Sequence, residues 1–173
     1  EDLSPPYNKP TIGGGSQYGC GLIGYAHDDL VFTFSDGACK KNPGPGGWGV
    51  YISSISDGEV KFCGGSKMTT NNIMELTATV FALEMVLERY PGYKVILYSD
   101  STYVLKGISE WMGGWIRRGW KTAGGKDVKN KELWVQLNKL ANQVDVDWRK
   151  VKGHSGNPGN DMADKLANMG VPK

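Results

Sequence analysis

Residues 30–63 read LVFTFSDGACKKNPGPGGWGVYISSISDGEVKFC. Three runs within them, Leu30 to Phe34, Trp48 to Ile52 and Val60 to Cys63, are rich in the β-branched and aromatic side chains that suit a pleated, half-buried surface. After the first run, Asp36-Gly37 and the stretch from Asn42 to Gly47 predict a loop; between the other two, Asp57-Gly58 predicts a hairpin turn. Three antiparallel strands in succession are expected. Downstream the period changes. Apolar residues recur at 74, 78, 81 and 85 and at 76, 80, 83 and 87, so residues 72–88 are expected to form a helix with a wide buried face. Val95 to Ser99 reads as a fourth strand, Ser101 to Lys106 as a short helix stopped by Gly107, and Leu133 to Gln143 as another helix. Val144 to Val151 reads as a fifth strand and Asn160 to Met169, ended by Gly170, as a closing helix. This order predicts an α/β fold with a five-stranded mixed sheet, three antiparallel strands then two parallel ones, and helices on both faces.

With 173 residues, 39% of them hydrophobic, the chain is long enough for one domain with its own core. A charged fraction of 22% and 10% aromatics exclude wholesale disorder. No stretch approaches the roughly 18 consecutive apolar residues of a membrane span, and the first residues lack the basic-then-apolar order of a signal peptide. A soluble protein without membrane partners is expected, and a monomer. Residues 1–29, with Pro5-Pro6, Pro10, Gly13-Gly14-Gly15 and Asp28-Asp29, show no sustained period and read as an N-terminal arm or linker, leaving 30–173 as the domain. The first residue is Glu rather than Met, which suggests a processed product or a piece of something longer. Cys20, Cys39 and Cys63 are odd in number and have no CxxC spacing, which argues against a disulfide framework or a zinc site and for an intracellular, reducing compartment.

Four carboxylates fall at the ends of expected elements: Asp36 after the first strand, Glu75 in the first turn of the long helix, Asp100 after the fourth strand and Asp164 in the last helix. Functional groups of an α/β sheet gather beyond the carboxyl ends of its strands, and ionised acids clustered there repel one another unless divalent cations neutralise them. Oxygen-only ligands favour magnesium or manganese. Each acid taken alone has a plainer reading. Asp36 before Gly37 suits a turn, Asn72-x-x-Glu75 a helix capping box, Asp100-Ser101 a helix N-cap, and Asp164 a surface acid. His154 lies in a glycine-bracketed loop, Val151 to Asn157. Most such histidines are inert, but one beside metal-bound carboxylates has the pKa range to move protons. Net charge is only +2, yet residues 106–131 hold seven Lys/Arg (Lys106, Arg117, Arg118, Lys121, Lys126, Lys129, Lys131) against Glu110 and Asp127, a segment of +5 in a remainder of −3. Such asymmetry marks either a solvated face or a phosphate-binding surface.

Taken together, these blocks resemble the catalytic domain of type 1 ribonuclease H, over about residues 30–171. The resemblance rests on Phe34 to Gly37 with Asn42 to Gly47, then Thr69 to Leu76, Tyr98 to Ser101, Trp111 to Asn130, and Val151 to Gly156 with Asp164. It implies a ribonuclease H-like fold and an endoribonuclease that cuts the RNA strand of RNA-DNA hybrids. Asp36, Glu75, Asp100 and Asp164 would hold two divalent metals, Mg2+ or in its place Mn2+, around the scissile phosphate, leaving 5′-phosphate and 3′-hydroxyl ends. His154 matches the family's mobile-loop histidine, which assists proton movement or product departure. Asn42, Asn71 and Asn72, with backbone groups around Cys39, match positions that touch sugars and bases in the minor groove. Thr70, Thr122 and Asn130 match a pocket for a DNA-strand phosphate. Trp111, Trp115 and Trp120 interleave with Arg117, Arg118 and Lys121 in what looks like the family's basic protrusion. Spacing suggests that Trp111 and Trp115 hold the protrusion together and that Trp120 is the better candidate for a substrate contact. Two departures stand out: Gly113-Gly114 inside this segment, and Thr102 where the family often carries a longer polar residue.

Two rivals remain at this point. DNA-strand-transfer enzymes share this fold and its acids, but the glycine-histidine loop and basic protrusion speak against them. A silent hybrid-binding module would have no need of four metal ligands and His154.

Overall fold

A computed structural model describes residues 29–173 and the backbone of residues 12–14. Strands β2 (Leu30–Cys39), β3 (Gly44–Ser54) and β4 (Gly58–Thr69) form the antiparallel meander, while β5 (Lys94–Ser99) and β6 (Asp145–Lys150) run parallel to β2 on its other side. These are the five expected strands. A sixth, β1 (Ile12–Gly14), lies parallel to β6 on its outer edge, giving the order β1-β6-β5-β2-β3-β4. Three residues, two of them glycine, are too few to show a period; what seats them is the unpaired backbone along the edge of β6. Residues 1–11 and 15–28 of the expected N-terminal arm, Cys20 included, lie outside the described residues.

Strand alternation sends side chains to two cores. Val95 and Leu97 of β5 join Val31 of β2 in the larger cluster, beneath α1 (Asn71–Arg89) and α4 (Lys131–Ala141), with Leu76, Leu83, Trp134 and Trp148 fully buried there. Ile96 and Tyr98 of the same strand point the other way, joining Phe34 under α5 (Pro158–Gly170) with Ala163 and Leu166. The Phe34 and Tyr98 rings stack at 4.7 Å. Each such burial contributes roughly 1.5–3 kcal/mol, so the sheet is fixed from both faces where β2 and β5 run side by side.

Two expectations about glycine are corrected. Asp36-Gly37 does not end the first strand: both residues pair with β3, opposite Gly49 and Trp48, and the chain reverses only beyond Cys39, where the Lys40 N–H donates to the Pro45 carbonyl at 2.9 Å. A ladder partner outweighs local turn chemistry. Gly107 does not stop a helix either. After α2 (Thr102–Lys106) the backbone widens into a π-helical turn, Gly107–Trp111, and continues as α3 (Met112–Arg117) through Gly113-Gly114. Glycine is required at 107 because a Cβ there would lie 2.0 Å from the Trp134 ring.

Candidate active site

Asp36 sits on β2 beside its parallel neighbour β5, whose chain continues from Ser99 into Asp100. Helix α1 crosses β2 so closely at Gly37 that a Cβ would meet the Glu75 nitrogen at 2.6 Å. That approach brings Glu75 over Asp36. Thr70, not Asn72, is the N-cap of α1, its hydroxyl accepting from the Ile73 N–H at 3.1 Å, so Glu75 is not used in a capping box. Ser101 likewise caps α2, accepting from the Val104 N–H at 3.1 Å, which leaves the Asp100 carboxylate unused by the helix. Oxygens of Asp36, Glu75 and Asp100 consequently lie within 4.8 Å of one another. Asp164 reaches across from α5 and hydrogen-bonds Asp36.

The cluster is electrostatically strained. Burial of Asp36, then the neighbouring charge of Asp100, then the hydrogen bond and charge of Asp164, push its carboxyl up to about 9, against the pull of the Gly37 N–H, which donates to Oδ1 at 3.0 Å. Glu75 is pushed well above the carboxylate range by desolvation, Asp36 and Asp100 in that order. Among the described residues no Lys or Arg forms an ion pair with any of the four acids. The donor set is all oxygen and its charge is uncompensated, which suits hard divalent cations.

An open cleft of about 340 Å3 joins all four acids to Asn71, Asn72 and His154. The His154 loop follows β6 directly, anchored where the Val151 N–H donates to the Ser99 carbonyl at 3.0 Å, and a Cβ at Gly153 would stand 2.9 Å from Asp100 Oδ2. His154 itself is exposed and left-handed, φ 55°. Such a conformation costs a non-glycine residue about 1–3 kcal/mol and persists where surrounding structure enforces it. Ser101, Thr102 and Tyr103 also line the cleft; their nearness to Asp100 in the chain was the available signal.

The other expected contacts are distributed. Asn42 stands next to the cleft rim, its Oδ1 accepting from the Asn71 N–H at 3.1 Å, and the nearby Cys39 thiol donates to the Lys41 carbonyl at 2.8 Å. Thr70, Thr122 and Asn130 do not line the cleft, and each already serves the fold: Thr70 caps α1, Thr122 Oγ1 accepts from the Lys126 N–H at 3.2 Å, and Asn130 Nδ2 donates to the Tyr103 hydroxyl at 3.1 Å. The aromatics form a chain, Tyr103 to Trp111 to Trp115 at 5.9 Å each, then Trp115 to Trp134 at 5.2 Å and to Trp120 at 6.5 Å. Trp115 and Trp120 are half-buried against the larger core, whereas Trp111 is the exposed member. Lys121 pairs with Asp127, and Arg118 donates to the Lys121 carbonyl at 3.4 Å.

Comparison with known proteins places this arrangement. The RNase H family profile matches residues 28–171. The ribonuclease H of Hahella chejuensis is 55% identical over 141 residues, 82% of this chain and 93% of its own. Among solved structures, LC9-RNase H1, a type 1 RNase H with the type 2 active-site motif, superposes with a TM-score of 0.73 at 30% identity, over 83% of this chain and 72% of that one. LC11-RNase H1 in complex with RNA/DNA hybrid shares the fold at a TM-score of 0.62 and 22% identity, over 82% and 96% of the two chains. With the sheet order, the acidic cleft and the sequence agreeing over the whole described domain, the chain belongs to the ribonuclease H family, as a type 1 enzyme.

Proposed function

We propose that this enzyme is an endonuclease that hydrolyses the RNA strand of RNA-DNA hybrids, using two divalent cations at Asp36, Glu75, Asp100 and Asp164, with Mg2+ the working metal and Mn2+ a substitute. The observation that carries the reading is the meeting of Asp36, Glu75 and Asp100, from three different elements, within 4.8 Å, with no Lys or Arg among the described residues paired to them. Bound cations would neutralise that charge, acidify water and stabilise the departing oxygen. In the reaction a water oxygen joins phosphorus, the P–O3′ bond breaks and the proton reaches O3′, so products carry 5′-phosphate and 3′-hydroxyl ends.

The protein groups have separable tasks. Glu75 and Asp100 face Asp36 across the cleft floor, and His154, on the exposed loop at its rim, relays a proton or eases product departure. Asn71 and Asn72 on the first turn of α1, with Asn42 and the backbone near Cys39, read the minor groove, where the 2′-hydroxyl distinguishes RNA from DNA. Arg117, Arg118 and Lys121 grip phosphates outside the cleft, with Trp111 and Trp120 packing on sugars, and Thr70, Thr122 and Asn130 meet the DNA strand.

The test is nicking of hybrids labelled on either strand. RNA cut internally with Mg2+ or Mn2+, the DNA strand left intact, and no cleavage in EDTA are expected. RNA cleavage undiminished by EDTA, or cutting of the DNA strand, would overturn the reading.

A further inference from the structure

We propose that Lys150 is a substrate contact in this enzyme, a phosphate-binding cation held at the cleft rim by Thr102. Thr102 lines the acidic cleft beside Asp100 and Ser101. Its hydroxyl accepts a hydrogen bond from Lys150 Nζ at 3.0 Å. Lys150 is the last residue of β6, opposite Ser99 in the ladder and one residue before the segment that carries His154. Its side chain shares the strand face of Trp148 and is exposed.

The pairing pattern along β6 singles it out. Asp145 is bound to Lys94 at 2.9 Å and Arg149 to Asp147 at 2.8 Å. Lys150, the remaining charged residue of the strand, has no carboxylate within ion-pair distance among the described residues, although four acids stand in the adjoining cleft. Its partner is a neutral hydroxyl, so its charge stays whole. An ammonium has three donors, and Thr102 takes one. A polyanion whose scissile phosphate sits on the carboxylates runs past this rim, where the two remaining donors can take a backbone phosphate. Thr102 is then a positioning residue. It holds a flexible side chain that would otherwise lose entropy on binding, a cost of about 0.5–1.5 kcal/mol for an immobilised long side chain.

This inference rests on the hybrid reading above, and the experiment separates the two. A short fluorescein-labelled RNA-DNA hybrid is titrated with Asp100→Asn protein across 50–200 mM salt, alone and with Lys150→Met, Lys150→Arg or Thr102→Val. Loss of one phosphate contact lowers the slope of log affinity against log salt by about 0.7–0.9, so the affinity ratio between the Lys150→Met and parent proteins changes about threefold over that range. Lys150→Arg is expected to restore the slope. Thr102→Val, which keeps the charge but frees it, is expected to keep the slope while weakening binding about two- to tenfold. A slope unchanged by Lys150→Met, or Lys150→Arg as impaired as Lys150→Met, overturns the contact. A parent protein that shows no salt-dependent binding of the hybrid overturns the function reading itself.

Discussion

Replacing Asp36 by Asn is expected to stabilise the metal-free protein while abolishing its chemistry. In the folded state the Asp36 carboxyl is held at about 9 against an ordinary 3.8. An acid whose folded pKa is raised contributes no penalty below the unfolded value; stability is then lost steadily as pH climbs from about 4 toward 9. At pH 7 the interval from 3.8 corresponds to roughly 4 kcal/mol at 1.36 kcal/mol per unit, an upper bound because Glu75 and Asp100 share the strain. Taking half gives about 2 kcal/mol, or a rise in Tm of about 4–8 °C for a chain of this length. Asn keeps an acceptor for the Gly37 N–H, now at 3.0 Å, and turns a donor toward Asp164, so the gain carries no lost hydrogen bond. Thermal melts in EDTA at pH 4, 5.5, 7 and 8.5 provide the assay. The Tm difference between mutant and parent should be near zero at pH 4 and grow with pH; adding Mg2+ should raise the parent's Tm and leave the mutant's nearly unmoved. A mutant less stable at pH 7, or a gain independent of pH, would refute the claim that burial and carboxylate repulsion strain the site.

Other perturbations test the remaining assignments. Asp100→Asn should cut turnover by orders of magnitude while hybrid binding survives, because the shape is kept and the cation's charge partner is lost; near-normal kcat would remove Asp100 from the chemistry. His154→Ala should slow turnover about tenfold to a hundredfold without abolishing it, since acidified water reacts without a dedicated base, and a variant as inactive as Asp100→Asn would make His154 obligatory. Arg117→Ala with Arg118→Ala should flatten the salt dependence of binding by about 1.5 units and raise KM more than it lowers kcat. Lys121→Ala should flatten it further by about 0.7–0.9 units, since its exposed pair with Asp127 gives way to a phosphate; an unchanged slope would remove Lys121 from the grip. Leu83→Ala, at a fully buried position on α1, should cost about 2–5 kcal/mol, read as a lower denaturation midpoint with unchanged cleavage specificity.

How much of this was readable in the chain follows from what each residue answers to. The five strands and α1 were legible because their signal is periodic and local: Val95, Ile96, Leu97 and Tyr98 alternate between two cores, and nothing distant can reverse that alternation. Strand ends were not. Asp36-Gly37 has the chemistry of a turn, and only the presence of Gly49 and Trp48 opposite it keeps it extended. The acids were legible as types at element ends, yet whether Glu75 caps a helix or faces Asp36 depends on Thr70 taking the cap and on a glycine at 37 allowing α1 to approach, and both are facts about packing.

Single residues with no period were the least legible. Gly107 reads as a helix stop until the Trp134 ring, 27 positions away, is seen to fill the place of its side chain. Spacing makes Trp120 the better candidate for a substrate contact, but its left-handed backbone, φ 66°, folds it back toward Trp115, and Trp111 is the more exposed of the three. Thr102 and Lys150 are 48 residues apart, and nothing in the sequence of either points to the other. A threonine after a helix cap and a lysine at the end of a strand are ordinary surface residues. Their meaning comes from the parallel pairing of β5 with β6, which sets Lys150 beside Ser99 and hence next to the first turn of α2. Chemistry that needs several charges at once was therefore detectable from composition and order. Chemistry that depends on one placed charge required the fold, because the same lysine one residue earlier would project through the opposite face of the sheet, toward α5 and away from Thr102.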